Sequence, residues 1–243
     1  STTITNAYIS PETENLIQFL RTMGVQIEVN GNSFIRIHGK RFLRGSLFQV
    51  IPDRIEALTW LVYGAISKGS ITIEDVPFSS MAIPLMHIKE AGVDYYQSSS
   101  KILISPDCLQ SGVIQPFEVS CGTHPGVISD MQPFFTLLGL HGAGISRIYD
   151  YRYPERIQYC SELAKFYGDR IIWESGKITV NGDGPPQGCI ASSTDLRGSM
   201  ALIIAALVAK GNSEIKNAEM ALRGYNNLQL KLKRLGVEIN LDK

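Results

Sequence analysis

The sequence has no excess of charge of either sign. Its 243 residues include 23 Lys and Arg and 23 Asp and Glu, so the formal net charge at pH 7 is zero. A neutral chain gives no electrostatic reason to expect nucleic acid or an anionic membrane surface as its main partner. It also lacks any apolar run near the roughly 18 residues that a membrane-spanning helix requires. We therefore expect neither nucleic acid nor a membrane among the partners.

Cysteine is scarce and widely scattered. The four cysteines are Cys108, Cys121, Cys160 and Cys189. This spacing predicts reduced thiols in the core or at the surface of a cytoplasmic protein, not a disulfide framework. Cys121 and His124, in "CGTH", have no second ligand pair at zinc spacing, so we expect no metal site.

A glycine-rich phosphate loop after a strand is also missing. The segment "GLHGAG" resembles one superficially, but its glycines follow a helix-like run. Without that loop, the sequence gives no support for a Rossmann dinucleotide-binding fold, and we expect no cofactor.

What the sequence does contain is an internal repeat. Four segments begin with an amphipathic helical run and reach a glycine at Gly24, Gly92, Gly168 and Gly236. Glycine is the usual residue after a helix because it tolerates a left-handed backbone. Two short strand-like runs around a polar turn follow the first three helices.

A second type of helix precedes three of these units. The segments "PDRIEALTWLVYGAISKG", "SDMQPFFTLLGLHGAG" and "TDLRGSMALIIAALVAKG" each open near an aspartate, at Asp53, Asp130 and Asp195. Because these helices are apolar on nearly all faces, we expect them to be buried. The pattern predicts an α/β fold of repeated helix–strand units. Residues 53–243 would form a domain of three units, and residues 1–52 would be the last unit of an earlier, otherwise absent domain.

The helix starts are candidate anion sites. A helix N-terminus carries unsatisfied N–H groups and a positive dipole end, so helices that begin at one rim would attract anions. Arginines occur near these joints, including Arg152, Arg197 and Arg223, and a guanidinium suits carboxylate and phosphate. The alternative is that the aspartates are plain helix N-caps that pair with the arginines.

Five motifs in order resemble the C-terminal half of the enolpyruvyl transferases, most closely the branch that acts on UDP-N-acetylglucosamine. They are "VIPDRIEALTWLVYGAISKG", "HPGVISDMQ", "YDYRYPERIQYCSELAKFYG", "TDLRGSMALIIAALVAKG" and "LRGYNNLQLKLKRLGVEI". The resemblance covers essentially the whole chain. It implies an inside-out α/β barrel with pseudo-threefold symmetry. It also implies transfer of the enolpyruvyl group of phosphoenolpyruvate to the 3-hydroxyl of the UDP-sugar, the first committed step of peptidoglycan synthesis, without a metal.

The resemblance also implies roles for individual residues. Asp130 would be the general base that contacts the sugar hydroxyl, and Asp195 would lie close to the reacting carbon. Arg197 and Arg223 would hold the phosphoenolpyruvate carboxylate and neighbouring charge. Ile148 would contact the UDP-sugar through its backbone. Arg152, the arginine at the end of the same motif, would also bind substrate.

Some family features differ or are absent. Val127, Ile128 and Ser129 stand where the family usually has Phe-Pro-Thr, and Leu222 stands where it usually has Asp. The stretch between Asp130 and Arg152 is several residues short. The catalytic loop cysteine, or the aspartate that replaces it in some members, and the lysine–asparagine pair would belong to the missing N-terminal half, which we expect as a partner. The alternatives are a related enzyme with another nucleotide or sugar acceptor, and a non-catalytic binding module.

Overall fold

The computed structural model describes residues 1–237 and 239, and the chain divides into two compact units. Unit 1 is Ser1–Asp53 and unit 2 is Arg54–Lys243. None of the helices in the described residues has the length and apolar character needed to cross a bilayer.

Unit 1 contains the helix and strand pair that the sequence predicts, plus one further strand. Its sheet has the antiparallel order β1-β3-β2, and Ile17, Ile27 and Ile35 form its core. The Ser10 side chain caps the helix by accepting from the backbone N–H of Thr13. The elements are β1 (Thr2–Thr5), α1 (Pro11–Thr22), β2 (Gln26–Asn30) and β3 (Phe34–His38).

Unit 2 is built around three buried helices that contact one another. Every residue of the second of them is buried, as are most residues of the other two, which explains why the sequence is apolar on nearly all helix faces. In chain order the first third of the unit contains α2 (Arg54–Ser67), β4 (Ile71–Ile73), α3 (Ala82–Glu90), β5 (Tyr96–Gln97) and β6 (Ile102–Ile104).

The middle of unit 2 has the largest sheet. Its order is β10-β11-β9-β7-β8, with β7 parallel to β8 and β9 and the other pairs antiparallel. The elements are β7 (Glu118–Gly122), β8 (Val127–Ile128), α4 (Gln132–Leu140), β9 (Gly144–Asp150), α5 (Gln158–Tyr167), β10 (Ile171–Glu174) and β11 (Lys177–Gly182).

Within the described residues, the last part of unit 2 repeats the order of strand, buried helix and strand. It contains β12 (Ile190–Ser192), α6 (Leu196–Val208), β13 (Glu214–Lys216), α7 (Glu219–Leu222) and α8 (Leu228–Arg234). The strand pair predicted for the end of this copy falls mainly on residues 238 and 240–243, outside the described residues.

The repeat has one feature that the sequence did not predict. The strands β7 and β12 precede the buried helices α4 and α6 and pair in parallel with the strands that follow those helices, β9 and β13. The two helices are therefore the crossovers of β-α-β units. The predicted terminal glycines are present: Gly24, Gly92 and Gly168 have φ of 92°, 75° and 65°.

Candidate functional site

Asp130 is not a helix cap. It lies in a single 3-10 turn, Ser129–Met131, between β8 and α4, and α4 begins after it, at Gln132. Its carboxylate instead binds two guanidinium groups. Arg156 Nη1 donates to Oδ1 at 2.5 Å, and Arg197 Nε donates to Oδ2 at 3.3 Å. The capping interpretation is therefore wrong for this residue.

Asp195 is the aspartate that does cap its helix. Its Oδ1 accepts hydrogen bonds from the backbone N–H groups of Arg197 at 3.0 Å and Gly198 at 3.1 Å, at the start of α6. Residue 198 has to be glycine for this arrangement. A Cβ there would lie 2.5 Å from Oδ2 of Asp195 and 2.7 Å from Cβ of Tyr159.

Arg156 connects the two aspartates, and the sequence did not predict its role. Its Nη2 lies 3.5 Å from Oδ1 of Asp195, while Nη1 binds Asp130. Arg156 precedes α5, 26 residues from Asp130. The available signal was the two arginines in "YDYRYPERI", and only the tertiary fold shows that Arg156 reaches both aspartates.

The side chain of Arg197 packs against an aromatic ring, and its backbone lies in the first turn of α6. Its side chain is only 9% exposed. The guanidinium carbon lies 5.3 Å from the centre of the Tyr225 ring, a geometry that favours a cation–π interaction. The Tyr225 hydroxyl lies 2.8 Å from Oγ1 of Thr59 in α2. Arg197 is therefore fixed relative to two of the three buried helices.

A buried carboxylate, Asp150 at the end of β9, lies beneath the site. Its oxygens accept from Ser129 Oγ at 3.0 Å, Gln132 Nε2 at 3.2 Å, and the backbone N–H groups of Arg152 and Tyr153 at 3.0 and 2.9 Å. Ser129 and Gln132 flank Asp130. Asp150 thus joins the turn that carries Asp130 to the loop that leads to Arg156.

The ion pairs change the protonation of the cluster. Burial alone would raise the pKa of the Asp130 carboxyl, but the hydrogen bonds and charges of Arg156 and Arg197 outweigh it and hold that pKa below its usual value. Burial would lower the pKa of the Arg156 guanidinium, and Asp130 and Asp195 raise it instead. Asp130 is consequently ionised at neutral pH.

An open depression of about 620 Å³ lies beside Asp130 and Arg156. Arg152, whose guanidinium lies over the Tyr153 ring, contributes to its lining, as does Glu155, which accepts a hydrogen bond from Ser175. The complete lining is Asp130, Arg152, Tyr153, Pro154, Glu155, Arg156 and Gln158.

Two predicted site residues lie apart from the cluster. Arg223 is exposed at the end of α7 and makes no ion pair with the described residues, although the neighbouring Gly224 packs against Leu196 and Arg197. Ile148 is fully buried in β9, between β11 and β7. The structure gives it no surface at the depression, and the residue of β9 that contacts the site is Asp150.

The four cysteines are free thiols. Burial raises the pKa of Cys121 far above its usual range, that of Cys160 to about 12, and that of Cys189 in the same direction. A raised pKa disfavours the thiolate, so these three are poor nucleophiles. Within residues 1–237 and 239, no three His, Cys, Asp or Glu side chains are grouped so that they could hold a metal ion.

Curated relatives match nearly the whole chain. It is 36% identical over 238 residues to a protein of Wolbachia pipientis subsp. Culex pipiens and 37% identical over 241 residues to one of Campylobacter hominis, both named UDP-N-acetylglucosamine 1-carboxyvinyltransferase. These matches include 98% of this chain but only 55% and 56% of the relatives. The chain therefore spans about half the length of the curated relatives that it matches.

Solved structures and a family model agree with these relatives. The enolpyruvyl transferase NikO from Streptomyces tendae superposes with a TM-score of 0.85 at 28% identity, over 98% of this chain and 56% of that one. The EPSP synthase from Acinetobacter baumannii, at 19% identity and a TM-score of 0.72 over the whole chain and 58% of its own, shares the α/β fold. The family model described as EPSP synthase (3-phosphoshikimate 1-carboxyvinyltransferase) matches residues 1–232, so this chain belongs to the EPSP synthase family.

Proposed function

We propose that this chain is the C-terminal part of an enzyme that transfers the enolpyruvyl group of phosphoenolpyruvate to the 3-hydroxyl of UDP-N-acetylglucosamine. The observation that carries the proposal is the ion cluster in which Arg156 and Arg197 meet at Asp130 beside an open depression. The names of the relatives at 36–37% identity support this choice of reaction and acceptor. The reaction would serve peptidoglycan synthesis in the cytoplasm.

In this proposal, Asp130 is the general base. Its carboxylate takes the proton of the sugar hydroxyl while the hydroxyl oxygen bonds to C2 of phosphoenolpyruvate and C3 gains a proton, and loss of a proton from C3 then restores the double bond as inorganic phosphate leaves. The carboxylate is ionised and partly open to the depression, as a base must be to reach its proton.

The arginines would bind the anionic groups of the substrates. Arg156 and Arg152 line the depression, and Arg197, whose side chain is 9% exposed, reaches the same site through its bond to Asp130. Positive charge held in place where negative charge develops is often the largest catalytic contribution. The exposed Arg223 is free to approach phosphoenolpyruvate from the loop beside Arg197. Asp195 would lie close to the reacting carbon and would orient Arg156. Ile148 would contribute only by fixing the position of strand β9.

The architecture implied by this function is an inside-out α/β barrel with pseudo-threefold symmetry. The mutual contacts of α2, α4 and α6 support it. Residues 53–243 would be one domain, and residues 1–52 would complete a second domain whose remaining part supplies the rest of the active site.

A second candidate changes only the acceptor. Val127, Ile128 and Ser129, which stand immediately before Asp130 where the family usually has Phe-Pro-Thr, favour a related enzyme for another nucleotide or sugar. A non-catalytic binding module is the remaining alternative.

The test is the release of inorganic phosphate by the complete gene product that carries these residues. Phosphoenolpyruvate would be supplied with UDP-N-acetylglucosamine and, separately, with other UDP-sugars and uridine nucleotides. Turnover with UDP-N-acetylglucosamine alone supports the first proposal, and turnover with another acceptor alone selects the second. Binding of both substrates without turnover would support the non-catalytic binding module.

A further inference from the structure

The cluster around Asp130 is balanced in charge before any ligand arrives. Two carboxylates, Asp130 and Asp195, meet two guanidinium groups, Arg156 and Arg197. Both oxygens of Asp130 are engaged, one by each arginine. An anion that enters the depression therefore finds Arg156 already bound to both aspartates and Arg197 already bound to Asp130 through Nε.

The two aspartates are not equally able to give up an arginine. Asp195 keeps two backbone N–H donors at the start of α6 if Arg156 leaves it, and a helix N-terminus stabilises a carboxylate. Among the residues that the structure describes, Asp130 accepts hydrogen bonds from the two guanidinium groups alone. Asp130 is thus the carboxylate that loses its partners when a ligand takes the arginines.

We propose that an anionic ligand competes with Asp130 for Arg156 and Arg197, so that anion binding releases the Asp130 carboxylate and is coupled to proton uptake at that residue. The proposal deepens the proposed function by giving the base a regulated strength. It depends on that function only for the identity of the natural anion.

Several other charged or titratable groups lie near Asp130, and each has its own surroundings. Beneath it, the Asp150 carboxylate is held by four donors. Beside it, Arg152 is cationic and Glu155 accepts from Ser175. The Cys121 thiol is protonated because burial raises its pKa.

The coupling has a chemical use. While both arginines bind Asp130, they hold its pKa low and make it a weak base. An anion that draws those guanidinium groups away adds negative charge beside Asp130, and both effects strengthen its attraction for a proton. The base would gain strength only when the anionic substrate is in place.

The test uses the 243-residue chain and sodium sulfate at constant ionic strength. Sulfate remains a dianion across the neutral range, so any pH dependence of its affinity belongs to the protein. Calorimetric titrations would be made between about pH 4.5 and 8 with the parent, Asp130→Asn and Glu74→Gln. The last variant is the matched control, because it removes one negative charge from an exposed ion pair with Lys101.

The proposal predicts two results together. Sulfate affinity of the parent falls as pH rises, by at most about tenfold per pH unit for one linked proton. Asp130→Asn binds sulfate more tightly than the parent at neutral pH, by about tenfold, and with little pH dependence, because its arginines are released. Glu74→Gln behaves like the parent.

Three outcomes would overturn the proposal. They are no saturable binding of sulfate, parent affinity that does not change with pH, and Asp130→Asn binding no tighter than the parent. None of these measurements uses turnover. A negative result would therefore leave the proposed transferase activity to its own assay.

Discussion

Asp130 and Arg197 are 67 positions apart in the sequence, yet Nε of Arg197 lies 3.3 Å from Oδ2 of Asp130. The contact joins the turn before α4 to the first turn of α6, two of the three helices that pack together in unit 2. Because the turn before α4 carries Asp130 and the first turn of α6 carries Arg197, the packing of these helices determines the geometry of the site.

Asp130→Asn should separate catalysis from stability. Asparagine cannot take the hydroxyl proton, and loss of a general base typically lowers the rate by roughly 10²–10⁴-fold. The lost ion pairs are partly exposed, so the free energy of unfolding should fall by only about 1 kcal/mol or less. Turnover of the complete gene product and a thermal melt of the same variant measure the two effects.

The matched control for that variant is Glu118→Gln, which removes a carboxylate from a surface pair with Arg147, away from the site. It should melt like the parent and keep full turnover. If Asp130→Asn melts much lower than this control but retains nearly full turnover, Asp130 is structural and the role of base is lost.

The 243-residue chain by itself should not turn over phosphoenolpyruvate. It spans about half of its relatives, and the proposed site requires groups from the other part. Phosphate release would be measured for this chain and for the complete gene product at equal concentrations. Sustained turnover by the shorter chain would mean that all the catalytic groups lie within residues 1–243.

The repeat could be predicted from sequence because its signals are local. Apolar residues three and four apart, and glycines such as Gly92 and Gly168, report on a few neighbouring residues. The strands β7 and β12 were missed because they are short and gain stability from parallel partners that follow a whole helix. The periodicity of apolar residues along the sequence does not reveal which strands pair.

The site was only partly predictable because some of its contacts are local in the sequence and others join distant segments. The capping role that "TDLRG" allows for Asp195 needs only the next three residues, and the structure shows it. The bond between Asp130 and Arg156 spans 26 residues and depends on how α4 and α5 pack. Ile148 was named by resemblance alone, and its burial between two strands follows from the sheet order.

Stability should depend on pH through His141, outside the site. Burial, with the nearby charge of Arg170, lowers the pKa of His141 from 6.5 to about 4 in the folded chain. Between these values the unfolded chain binds more protons, so the free energy of unfolding should fall as pH decreases from about 6.5 to about 4. The loss should be on the order of 3 kcal/mol. Denaturant unfolding at several pH values measures this slope, and His141→Gln should flatten it. An unchanged slope in that variant would assign the effect to another group.

Gly198→Ala should disturb the cluster from within the helix. The added methyl group would lie 2.5 Å from Oδ2 of Asp195 and 2.7 Å from Cβ of Tyr159, and neither neighbour has room to withdraw, since Asp195 caps α6 and Tyr159 is fully buried. We expect the free energy of unfolding to fall by about 1–3 kcal/mol, the usual cost of overpacking. Turnover of the complete gene product should fall as well, because the displaced carboxylate moves Arg156.

The control is Gly122→Ala in β7, where a Cβ would meet nothing within 4 Å and the backbone does not require glycine. Denaturant unfolding and phosphate release would be measured on both variants. Equal behaviour of the two would show that the start of α6 shifts easily and that the close approach of Gly198 to Asp195 does not determine the geometry of the site.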